Sequence, residues 1–82
     1  MNNTRRSRLR QAADHLETAK QIVSGVCDEE QDAMDNMPEN LQGSDRYSDM
    51  ENAVSMMEDA VDGIDTALSS LSDIERVAAA KR

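Results

Sequence analysis

The chain has 82 residues, 32% of them charged and 1% aromatic, with a formal net charge of −8. That length holds a single domain, and without Phe or Trp its core builders are small or flexible, so self-association or a partner is the expected route to stability. The lone Cys27 excludes an intrachain disulfide, and no apolar run approaches the ~20 residues of a membrane-spanning helix.

The N-terminal stretch carries Arg5, Arg6, Arg8 and Arg10 but no apolar segment after them, so it is not read as a secretory signal, and a cytoplasmic location is expected. From about residue 5 to 36 the apolar residues recur in steps of three and four: Leu9, Ala12, Leu16, Ala19, Val23, Val26, Ala33 and Met37, with Glu30 in the one polar gap. This spacing predicts a helix that keeps one side towards a partner. Ala13, Cys27 and Met34 fall beside that seam, and Ile22 on its other side.

A bend is predicted at about 37–44. Pro38 has no amide donor and steers Met37 away from helical geometry, while Gly43 frees the backbone. "PENL", Pro38 to Leu41, suits one isolated turn. The second helix, about 45–80, can start at Ser44, or at Ser48, where "SDME" has capping-box spacing.

In that second helix Tyr47, Met50, Val54, Met57, Val61, Ile64, Leu68, Leu71 and Ala78 keep the seven-residue rhythm, with Glu75 at the gap. Ala53, Ala60, Ala67 and Ile74 form a further column beside it. A stripe this wide exceeds the seam of a two-stranded coiled coil. The expected fold is therefore all-α: an antiparallel, coiled-coil-like helical hairpin that dimerises into a four-helix bundle, with the Ala53–Ile74 column as oligomer interface.

Charge is segregated along the chain. Residues 1–27 carry five cations and two carboxylates, residues 28–75 one cation and fifteen carboxylates, and residues 76–82 three cations. Folded as a hairpin, the chain becomes a rod with a basic pole (Arg5, Arg6, Arg8, Arg10) and an acidic tip. In the first helix this order opposes the macrodipole, which costs a few tenths of a kcal/mol per exposed charge and hints that contacts outside the helix select it. Arg5 to Arg10 are placed to pair with Asp73 and Glu75 across the hairpin.

The candidate contact surface is the acidic one: Asp28, Glu29, Asp32, Asp35, Glu39, Asp45, Asp49, Glu58, Asp59, Asp62 and Asp65. Calcium is a poor fit, because the EF-hand-like acids of Asp28 to Glu39 have Ala33 where such a loop needs its turn-making glycine. A di-metal carboxylate site lacks its Glu-x-x-His pairs, since Ala12 precedes His15 at that spacing. Cys27 and His15, twelve residues apart on one helix, are ~18 Å apart along its axis and make no dyad. No catalytic, metal or cofactor-binding constellation is read from the sequence, and the chain is expected not to be an enzyme. Net acidity and the absence of aromatics at the basic end argue against direct nucleic-acid binding. An acidic helix surface of this kind can instead occupy a basic groove made for phosphates.

The run "DEEQDAMDNMPENLQGSDRYSDMENAV", followed by small-residue heptads, resembles a group of small bacteriophage and prophage proteins. They share an arginine-bearing first helix, an acidic "EEQ…DN-PE-LQ" bend and an alanine-rich second helix. The resemblance covers about Arg8 to Leu71, with its specific part at Asp28 to Gln42. It implies a phage or mobile-element context in a bacterial host and brings no established activity. The expected function is protein–protein interaction with a host or phage protein, with inhibition by nucleic-acid mimicry as one form. The alternative is a self-associating assembly subunit whose acidity serves solubility.

Overall fold

The computed structural model describes residues 1–80; Lys81 and Arg82, counted above with the basic end, lie outside the described residues. It contains two long helices, α1 (Asn3–Asp35) and α2 (Asp45–Ala80), joined by a 3-10 turn at Glu39–Leu41, with no strand among the described residues. The helices pack against each other into a rod of 63 × 15 × 14 Å. Arg10 meets Glu75, Lys20 meets Asp65 and Cys27 meets Val54, so the partner's number falls as the chain advances and the helices run antiparallel.

α1 begins earlier than its periodicity predicts because Asn2 caps it: the Asn2 Oδ1 accepts the Arg5 amide at 2.8 Å. It ends at Asp35. Pro38 stands extended at ψ 145°, and the Met37 amide turns back to the Met34 carbonyl at 3.1 Å. Of the two candidate starts for α2, the chain uses Ser44. Its Oγ accepts the Tyr47 amide at 3.3 Å and donates to the Leu41 carbonyl at 2.6 Å, which ties the bend to the helix. Ser48 lies one turn inside α2, its amide bonded to the Ser44 carbonyl, so the capping-box reading of "SDME" is not realised.

The α2 seam lies where the sequence puts it. Val54 is buried, and Tyr47, Met50, Met57, Val61, Ile64, Leu68, Leu71, Glu75 and Ala78 are half-buried. The α1 seam is rotated by one residue from the predicted phase. Leu9, Leu16, Val23, Glu30 and Met37 form one inner column, but the second consists of Arg6, Ala13, Lys20, Cys27 and Met34. Val26 and Ala33, predicted inside, are exposed. The reason is volume and chemistry: Met34 and Cys27 fill the space opposite Val54, and Lys20 finds a carboxylate across the seam.

The enclosed core is thin. Only Met34 and Val54, at 4% and 6% exposure, are buried among the described residues. Each such side chain contributes about 1.5–3 kcal/mol, and the rest of the seam is only partly covered.

Candidate functional site

Helical phase divides the rod into two unlike sides. With seven residues per two turns, Glu17, Ser24 and Gln31 lie about 80° to one side of the α1 contact line, and Glu51, Glu58 and Asp65 equally to one side of the α2 line. These flanks share a face. Gln31, Glu51 and Glu58 line one shallow depression, and Ser24, Asp28, Glu58 and Asp62 line the next. The opposite flanks must therefore share the other face. There α1 presents Ala12, Ala19, Val26 and Ala33, with Ile22 at its rim, and α2 presents Ala53, Ala60, Ala67 and Ile74, with Met56 and Val77 beyond. Ile22 is 61% exposed and Met56 71%, and Val26, Ile74 and Val77 also remain in water.

The predicted acidic surface therefore splits. Asp28, Asp35, Glu58 and Asp62 belong to the polar side, all exposed, with Asp35 accepting a hydrogen bond from Gln31 at 3.1 Å. Asp65, on the polar flank, is tied across the seam to Lys20 at 2.7 Å. Glu29 and Asp49 sit on the rim of the apolar face near the bend beside Arg46, Asp32 and Asp59 lie on the backs of α1 and α2 opposite the seam, and Glu39 and Asp45 occupy the tip itself.

The predicted basic pole divides as well. Arg10 donates to Glu75 at 2.7 Å across the hairpin. Asp73, the other predicted partner, pairs with Arg76 on its own helix. Arg6 lies in the inner column, and its buried Nε has no hydrogen-bond partner among the described residues. Arg5 and Arg8 are exposed, and by helical phase they flank the apolar face at the open end. The predicted oligomer interface is graded, with Ala53 and Ala67 half-buried and Ala60 and Ile74 exposed.

Among the described residues two groups are electrostatically perturbed. The Lys20 ammonium is held above its ordinary pKa, first by its hydrogen bond to Asp65 and then by the attraction of that carboxylate. Partial burial pushes the Cys27 thiol up, and Glu58 and Asp28 add to the effect. The Cys27 thiol lies 3.9 Å from the Val54 carbonyl, so it behaves as a small packed hydrophobe with a disfavoured thiolate. His15 is exposed and about 150° around α1 from Cys27, so helical phase as well as axial distance separates the two.

Among the described residues no three His, Cys, Asp or Glu side chains are grouped to hold a metal ion. A depression between Leu9, Arg10, Leu68 and Glu75 at the open end measures about 150 Å³, and a shallower one beside Met1, Arg5 and Arg8 about 400 Å³ but wide open to solvent. Ligand pockets usually occupy ~300–1,000 Å³. None of the helices among the described residues is long and apolar enough to cross a membrane. No protein-family model matches the chain, and no curated protein or solved structure is significantly similar to it.

Proposed function

We propose that the chain is a non-enzymatic protein-interaction module of phage or mobile-element type, working in the cytoplasm of a bacterial host. The observation that carries this reading is the two-sidedness of the hairpin. One side gathers Asp28, Glu58 and Asp62, while the other leaves Ile22, Val26, Met56 and Ile74 in water. A rod with only two buried side chains among the described residues gains stability by covering its apolar side, and association of two hairpins into a four-helix bundle does so. The acidic sides then face outward, where they suit a protein groove built for a nucleic-acid backbone.

Affinity capture from bacterial lysate, with and without excess duplex DNA, tests the outward surface. Mimicry predicts bound proteins that DNA displaces and that elute as salt rises. Capture indifferent to DNA and salt overturns mimicry. A second reading, a self-associating assembly subunit whose acidity serves solubility, is favoured by the exposed apolar side. It predicts self-association with no captured partner.

A further inference from the structure

We propose that the apolar side is covered by a second copy of the chain lying antiparallel along the rod, the basic open end of each protomer beside the acidic bend of the other. This rests on the dimer reading above and specifies its face and direction.

Size is the first argument. A flat side of a rod 63 Å long and 15 Å wide projects roughly 900 Å², on the scale of the ~800 Å² per partner of a standard stable interface. Its centre is uncharged: Ala19, Ile22, Val26, Met56, Ala60 and Ala67. The small side chains let helices approach closely, and the larger ones fill the spaces between them.

Charge supplies the direction. At the open end this face carries Arg5 and Arg8, and near the bend it carries Glu29 and Asp49, with Arg46 offsetting one of those two carboxylates. A parallel pairing sets arginine against arginine at one end and carboxylate against carboxylate at the other, which is repulsive twice. An antiparallel copy of equal length satisfies both ends at once. The α1 charges oppose their own helix, with no acid in its first turn and no base in its last. In the antiparallel pair those same charges meet opposite partners, which offsets the local cost.

The test is a distance. Thr4→Cys in a Cys27→Ser background puts one exposed nitroxide label at the open end, with native helicity checked by circular dichroism. Sedimentation of the labelled full chain at high micromolar concentration should give a dimer. Dipolar electron paramagnetic resonance should then read roughly 45 Å between labels, because ~30 helical residues at ~1.5 Å each separate the two open ends. A dimer with labels under about 25 Å apart, the parallel arrangement, overturns this inference and leaves the dimer standing. A folded monomer overturns both.

Discussion

Lys20 Nζ lies 2.7 Å from Asp65 Oδ1, so a cation from the inner column of α1 is tied to the flank of α2 near the middle of the rod. The hydrogen bond raises the Lys20 pKa above its ordinary 10.5. A folded-state pKa above the unfolded one means that the contribution is whole below about pH 10.5 and is lost as pH climbs through the folded value. The Cys27 thiol, raised from 9.0, has the same sign and sets in at lower pH. Thermal melts in a Cys27→Ser background should therefore show alkaline destabilisation beginning near pH 10.5, and Lys20→Met should flatten it. An unchanged pH profile in Lys20→Met would show that the ion pair carries no linkage.

The same contact marks what the sequence does and does not specify. In α2 the apolar residues occupy two columns and their flank is almost all alanine, so the period alone fixes the phase. In α1, apolar residues occupy three adjacent columns, from Val26 and Ala33 through Val23 to Cys27 and Met34. A heptad count cannot choose between neighbouring columns when both are apolar. The choice falls to Lys20, a charged residue that a count of apolar positions passes over, because Asp65 stands opposite it. The acidic surface was legible as composition, but its division between two sides depends on how α1 is rotated.

The bend offers a local test of how α2 starts. Ser44 alone supplies the cap, since its hydroxyl accepts the Tyr47 amide. Ser44→Ala should cost about 1 kcal/mol in urea unfolding, whereas Ser48→Ala should change stability by under ~0.5 kcal/mol. Equal effects would mean that the helix start frays between the two serines.

Cys27 should react slowly. Its thiolate is disfavoured by partial burial and by the carboxylates of Glu58 and Asp28. Alkylation by iodoacetamide at pH 8 should be about tenfold slower in the folded chain than in urea, and the gap should close in a variant that opens the seam, Val54→Ala. Equal rates in folded and unfolded chains would place the thiol in open solvent.

Neighbouring residues on α1 should respond oppositely to the same substitution. Cys27 faces Val54 inside the hairpin, while Val26 faces the uncovered side. In an Ala60→Lys, Ala67→Lys background, which charges the apolar face and keeps the hairpin monomeric, Val26→Asp should shift unfolding by no more than ~0.5 kcal/mol. Cys27→Asp in that background places a carboxylate in the seam beside Glu58 and should cost roughly 1–3 kcal/mol. In the otherwise native chain the order of effects on association reverses in kind. Val26→Asp should abolish the proposed dimer in sedimentation while the far-ultraviolet helix signal persists, because only the outer face is charged. Cys27→Asp should lower helix content and association together. If Val26→Asp unfolds the monomeric background as severely as Cys27→Asp, the seam has the phase that the heptad count assigns, and the apolar side is not the one described.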